Sequence, residues 1–150
     1  MQDYGYSSNL NINEKVLIGM LRAAEFFKRE HSGIFRNYGL TFAQYNVLRV
    51  LDASQNGQNT LTRVGSIMLV SGANITGIAK RLEKGGFLIR RKLTNDERVT
   101  VMEITPKGRQ ALKNAEKEKN RSLETILGEF SEEEKNEMVK RIRKILKHRT

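Results

Sequence analysis

Apolar residues recur every three or four positions through most of the chain, and the places where that spacing breaks divide it into elements. Leu17, Met20, Leu21, Ala24, Phe27, His31, Ile34 and Phe35 fall on one helical stripe, in a helix running from a cap at Asn13 to about Asn37. Val16, Ile18 and Phe26 lie off the stripe. A helix apolar on more than one side needs a contact beyond its own core. Met1 to Asn11 is polar, with Gly and Ser, and reads as a loose arm. Tyr38-Gly39 closes the helix. Thr41-Phe42-Ala43-Gln44 has the form of a capping box. It opens a second helix to about Ala53 whose apolar surface is Phe42, Tyr45, Val47, Leu48 and Leu51. Ser54 to Asn59 reads as a loop. Thr60 caps a short third helix carrying Leu61, Val64, Ile67 and Met68.

The fourth helical segment begins at Ser71, which is placed to cap it. Ile75, Ile78, Ala79 and Leu82 make its apolar side. Rotation by about 100° per residue sends Ala73, Gly77, Lys80 and Lys84 to the opposite side, flanked by Asn74, Thr76 and Arg81. That face is small at its start and cationic toward its end. Gly77 in mid-helix is disfavoured by roughly 1 kcal/mol against Ala, which suggests that something approaches closely there. Gly85 and Gly86 stand where a helix C-cap belongs. The spacing then changes. Phe87 to Leu93 reads as a strand containing Arg90, Arg91 and Lys92, Thr94 to Glu97 as a turn, and Val99 to Ile104 as the returning strand. Asp96 is placed to accept hydrogen bonds from Arg98 and fix its direction.

Thr105-Pro106 starts another helix, with Thr as cap and Pro in the first turn. Its middle, Glu116 to Ser122, is polar all round, as in a strut crossing solvent between two bodies. Leu123, Ile126, Leu127 and Phe130 turn apolar again, and Gly128 ends the strut. Ser131 to Glu134 is a further capping box. The last helix carries a stripe of Met138, Val139, Ile142, Ile145 and Leu146, with Lys140, Arg141, Arg143, Lys144, Lys147 and Arg149 on its remaining face. The fold class is mainly α with a small β-wing. Residues 12–38 and 109–150 supply a helical dimerisation lobe, and 40–108 form a winged helix-turn-helix.

Charge narrows the partner. Among 150 residues, 27 Lys and Arg oppose 17 Asp and Glu, a formal net charge of +10. Such an excess favours a polyanion, nucleic acid first and an anionic membrane surface second. No apolar run is long enough to span a bilayer, and the opening MQDYGYSSNLNIN lacks the cationic-then-apolar order of a secretory signal, so a cytoplasmic protein with no membrane partner is expected. With no cysteine, disulfides, thiolate metal sites and thiol redox sensing are absent from this chain. Two histidines, His31 and His148, give no histidine-rich metal site. Neither metal nor cofactor is expected. No nucleophile–base arrangement stands out, so the chain does not read as an enzyme.

A helix entering the major groove wants a face that is small at its start and cationic toward its end. Ser71, Ala73, Asn74, Thr76, Gly77, Lys80 and Arg81 on the helix, with Arg90, Arg91, Lys92, Asp96 and Arg98 on the hairpin, are therefore the candidate DNA-binding residues. Arg98 at the wing tip suits the minor groove, where the potential is most negative. The competing readings are a nonspecific nucleic-acid-binding protein, a protein-interaction module with no effector, and a membrane-surface protein using the basic last helix.

The order Thr60, Val64, Met68, Val70-Ser71, Ile75, Leu82-Glu83, Gly86, then Asp96-x-Arg98, Ile104-Thr105 and Gly108 resembles the multiple-antibiotic-resistance regulator (MarR) family. Upstream, Leu40-Thr41-x-x-Gln44 and Leu48 match the family's entry to the reading unit. The likeness covers nearly the whole chain, and the wing residues are its most specific part. The chain departs from the family at Arg63, where an acidic residue is common, at Gly65-Ser66, and at Glu97, where many members carry Arg. The resemblance implies a homodimeric transcriptional regulator, more often a repressor, that binds a pseudo-palindromic double-stranded DNA operator. It also implies a small-molecule effector, aromatic or lipophilic, held between the lobes. Phe27, His31, Phe35, Tyr38 and Tyr45 are the candidates to line that site. Leu17, Leu21, Leu123, Ile126, Leu127, Phe130, Val139, Ile142, Ile145 and Leu146 are the candidates for the dimer interface.

Overall fold

In the computed structural model, residues 9–68 and 71–148 are described. Most of the expected N-terminal arm, Val70 of the family motif, the side chain of Ala73 and Arg149 lie outside the described residues. The order is α1 (Ile12–Arg36), α2 (Phe42–Asp52), a 3-10 turn (Gln55–Gly57), β1 (Gln58–Thr60), α3 (Leu61–Met68), α4 (Gly72–Lys84), β2 (Leu88–Leu93), β3 (Asp96–Ile104), α5 (Pro106–Leu127) and α6 (Glu132–Leu146). The fold is mainly helical with a three-stranded antiparallel sheet ordered β1-β3-β2.

Three helix starts carry the full capping box: Asn11 with Glu14, Thr41 with Gln44, and Ser131 with Glu134. The first corrects the sequence reading, which put the cap at Asn13. Asn11 wins because Glu14, three residues on, returns a bond to its backbone at 2.9 Å, whereas Val16 has nothing to return to Asn13. The segment Ser54–Asn59 is likewise not plain loop. Its end pairs with β3, Gln58 facing Glu103 and Asn59 facing Met102. Three polar residues give no alternation to read, so this strand exists through pairing alone.

α2 lies at the centre. Val47, Leu48 and Leu51 are fully buried, packed in one core with Val64 of α3, Ile75, Ala79 and Leu82 of α4, Leu88 and Met102 of the sheet, and Leu112 and Ala115 of α5. α4 thus buries the stripe the sequence marked. Its C-terminus closes in a Schellman arrangement: Gly86 N–H donates to the Glu83 carbonyl and Phe87 N–H to that of Leu82, both at 3.0 Å. Gly86 has φ +80°, the left-handed conformation that a side chain resists.

The polar middle of α5 is not free in solvent, as the sequence suggested. Tyr38 Oη donates to Glu118 at 2.5 Å and Lys119 Nζ lies 5.5 Å from the Tyr45 ring centroid. The bond to Glu118, and then burial, raise the Tyr38 phenol above its ordinary pKa. Long polar side chains can cover apolar neighbours with their stems, which a helical-wheel count scores as solvated.

Candidate nucleic-acid interface

α4 begins at Ser71, whose side chain accepts from the Asn74 N–H at 3.4 Å. With Ile75, Ala79 and Leu82 fixed in the core, Asn74, Lys80, Arg81 and Lys84 are left exposed. Thr76 is half-buried, and its hydroxyl donates to the Gly72 carbonyl at 2.8 Å. Its hydrogen is therefore used, and toward a base edge it offers an acceptor and a methyl group. A Cβ at Gly77 would meet only the Arg81 guanidinium, at 3.9 Å. Among the described residues nothing needs the missing side chain, so the space lies on the outward face.

The wing turns more tightly than expected. Leu93 pairs with Asp96 around Thr94-Asn95, so the turn has two residues and β3 begins at Asp96, not Val99. Pairing steps from Lys92↔Thr100 to Leu93↔Asp96, and Glu97, Arg98 and Val99 bulge between the two pairs. That irregularity presents Arg98. Asp96 accepts from the Arg98 N–H and Nε at 3.0 Å each and from Nη2 at 3.3 Å. These bonds hold the Asp96 carboxyl below its ordinary pKa, while the Arg98 side chain stays 91% exposed. A charge pinned at its base and open at its tip can enter a narrow groove with little ordering left to do.

The three cations of β2 differ. Arg91 Nη2 donates to Gln58 of β1 at 2.6 Å, and Lys92 Nζ to Thr100 at 2.9 Å; both side chains are exposed. Arg90 is turned inward. Its N–H donates to Glu83 Oε2 at 3.0 Å, and its Nε and Nη2 to Oε1 at 3.2 and 2.8 Å. The guanidinium is taken up by the protein, which its place in the run Arg90-Arg91-Lys92 did not reveal. Glu83, seven residues back and across a helix end, and Gln58, on the unread strand, were the partners missed.

Four of the five aromatic candidates come together, as a ladder rather than a pocket wall, while Tyr38 is bonded to Glu118. Phe27 stacks on His31, His31 on Phe35, and Phe35 on Tyr45 at 3.8 Å between centroids. Phe35 and Tyr45 belong to the core. Two open grooves flank the ladder. One, of about 470 Å³, is lined by Ser32, Arg36, Gly39, Leu40, Thr41 and Phe42. The other, of about 370 Å³, runs between Glu30 and Ile34 of α1 and Glu118 to Ile126 of α5. The candidates line neither groove, because their rings are spent on packing. His31 Nε2 and Tyr45 Oη are nevertheless buried without a hydrogen-bond partner among the described residues.

Of the interface candidates, Leu17, Leu21, Phe130, Val139, Ile142, Ile145 and Leu146 are exposed in the protomer, and Leu123, Ile126 and Leu127 are half-buried. No group of His, Asp and Glu among the described residues is arranged to hold a metal ion. No helix among the described residues is long and apolar enough to cross a membrane.

Residues 30–115 match the family model of the transcriptional regulators SarA/Rot. The transcriptional regulator MhqR of Bacillus subtilis is 28% identical over 85% of this chain and 89% of its own. The MarR-family regulator Sco5413 of Streptomyces coelicolor superposes with a TM-score of 0.77 at 26% identity, over 90% of this chain and 94% of that one. Sco3205 of the same organism, a MarR-family regulator solved in complex with DNA, superposes at 0.85 with 16% identity, over 95% and 91%.

Proposed function

The chain belongs to the SarA/Rot transcriptional regulators and is a DNA-binding winged-helix regulator of the MarR kind; from this we propose that it works as a homodimeric repressor on a pseudo-palindromic operator. One observation carries the reading. The outward face of α4 is cationic and backed by a rigid core, and beside it Arg98 projects from a wing tip where Asp96 fixes its direction. In this reading α4 lies in the major groove. Asn74 reads base edges as donor and acceptor, and Thr76 as acceptor. Lys80 and Arg81 contact guanine or phosphate, Arg91 and Lys92 contact backbone, and Arg98 enters the minor groove. Arg90 is left out, since its guanidinium is bonded to Glu83. A dimer covering two half-sites about 34 Å apart excludes other proteins from that stretch, which is repression by occupancy. No catalytic step belongs to the reading, and its setting is the cytoplasm, on the chromosome.

An effector enters the proposal through His31 Nε2 and Tyr45 Oη. Buried polar atoms normally have partners. Two unpartnered ones at the meeting of α1 and α2 suit the polar end of a small aromatic molecule that parts the ladder and shifts the lobes. Such a ligand acts only as far as its affinity differs between the two arrangements.

The test is fluorescence anisotropy on DNA from around the protein's own gene, against a scrambled duplex of equal length, at several salt concentrations. Wild type should prefer the native duplex near physiological salt. Arg98→Ala should weaken that binding by about 1–3 kcal/mol. Equal affinity for both duplexes, with a steep salt slope, would favour nonspecific coating instead.

A further inference from the structure

We propose that the Glu83–Arg90 ion pair is a clamp that sets the angle of the wing on the reading helix, so that Arg98 and the outward face of α4 meet one duplex together. The inference rests on the DNA-binding reading above.

Glu83 occupies the last turn of α4 and Arg90 the third position of β2. The chain passes from one to the other through Gly85-Gly86, the least restrained pair of residues available. Three hydrogen bonds bridge that step, two from the guanidinium and one from the Arg90 backbone. The backbone bond matters most for geometry, because it fixes the strand itself and not only a side chain. Arg90 also pairs in register with the buried Met102, so the clamp sits on the inward face of the wing. Arg91 and Lys92, further toward the tip, are bonded to Gln58 and Thr100 and not to α4. Phe87 N–H, Thr105 and Lys107 hold the backbone of the step itself, and among the described residues Glu83 and Arg90 make the side-chain tie between α4 and the strands of the wing.

Glu83 is poorly placed for any other purpose. An anion at a helix C-terminus opposes the helix dipole, and an anion beside a DNA-reading face repels phosphate. Both penalties are offset by Arg90, whose hydrogen bonds hold the Glu83 carboxyl below its ordinary pKa. The side chains are 25% and 37% exposed, so solvent screens the pair less than a surface bridge. Two contacts on one rigid body reinforce each other, and that gain falls when the connection between them loosens. Glu83 and Arg90 are thus positioning residues, acting through Arg98.

The chain has no cysteine, so Lys80→Cys with Thr94→Cys places one spin label on α4 and one on the wing tip. Labelled chain is diluted with unlabelled chain, and distances are measured without DNA. Glu83→Gln should broaden the distance distribution. Arg90→Lys should too, since lysine keeps the charge but not the fork. The exchanged pair, Glu83→Arg with Arg90→Glu, restores the charges but leaves the residue-90 N–H without an acceptor, so it should stay broadened. A width unchanged in both single variants overturns the proposal. On DNA, Arg98→Ala should cost wild type several-fold in affinity. In the Glu83→Gln background that cost should shrink by about three-fold or more, as for residues of one network. An Arg98→Ala cost that is several-fold in wild type and equally large in the Glu83→Gln background overturns the proposal. A broadened distribution with Arg98→Ala silent even in wild type supports the clamp and refutes the wing contact.

Discussion

Tyr45 and Arg98 carry opposite kinds of information. Arg98 was legible because its partner stands two residues away, a spacing at which an Asp side chain reaches both the backbone and the guanidinium. Arg90 was not, because its partner lies across a change from helix to strand and no linear spacing reports that contact. Tyr45 was legible only as an aromatic on an apolar face. Its burial at 3% exposure with an unpartnered hydroxyl is a property of the packed state. A buried polar group without a partner is destabilising by about 1–3 kcal/mol. Tyr45→Phe removes that group and keeps the ring that stacks on Phe35. The variant should be more stable to urea by up to about that amount, and should lose any response of DNA binding to aromatic effectors. Equal or lower stability would mean that water or a partner satisfies the hydroxyl in solution.

Element boundaries were read where side chains themselves close the helix. The boxes at Thr41 and Ser131, the Thr105-Pro106 start and the Gly85-Gly86 stop all stand where the sequence marked them. β1 was missed because backbone pairing alone makes it. The contact between α5 and the reading unit is a case between these. Thr105 caps α5 and also donates to the Gly86 carbonyl at 2.6 Å, and Lys107 Nζ donates to the Gly85 carbonyl at 2.6 Å. The start of α5 is thereby fastened to the end of α4, and Gly108 permits the approach. A Cβ there would lie 2.2 Å from the Phe87 carbonyl oxygen, a backbone atom that cannot swing aside. Gly108→Ala should therefore destabilise by more than about 2 kcal/mol, in the upper range for overpacking. Gly33 is the control, also helical but exposed, with nothing within 4 Å of an added Cβ. Gly33→Ala should stabilise by about 0.5–1 kcal/mol. Thermal melts of the two variants check both signs.

The protomer as a whole leaves one helix without a core. α6 has fifteen residues and none is buried, although Met138, Val139, Ile142, Ile145 and Leu146 form a continuous stripe. An isolated helix of about 12–15 residues is marginal in water even with good helix formers, so α6 needs packing that one chain does not give it. The N-terminal half of α1 shares the problem: Ile12, Val16, Leu17 and Leu21 are all at least half exposed. These two uncovered apolar surfaces, the α6 stripe and the N-terminal half of α1, would be satisfied together by a second copy related by a twofold axis. The same axis would set two copies of α4 facing one side of a duplex. Val139→Glu with Ile142→Glu puts two charges on the α6 stripe and leaves α4 and the wing untouched. Wild type at micromolar concentration should sediment at twice the chain mass of 17.2 kDa, and the double variant at once that mass. Operator affinity should then fall by roughly 10²–10⁴, the gain that joining two half-site contacts supplies. A wild-type chain that sediments singly yet binds the operator fully would refute the dimer, and would leave the stripe of α6 to another partner.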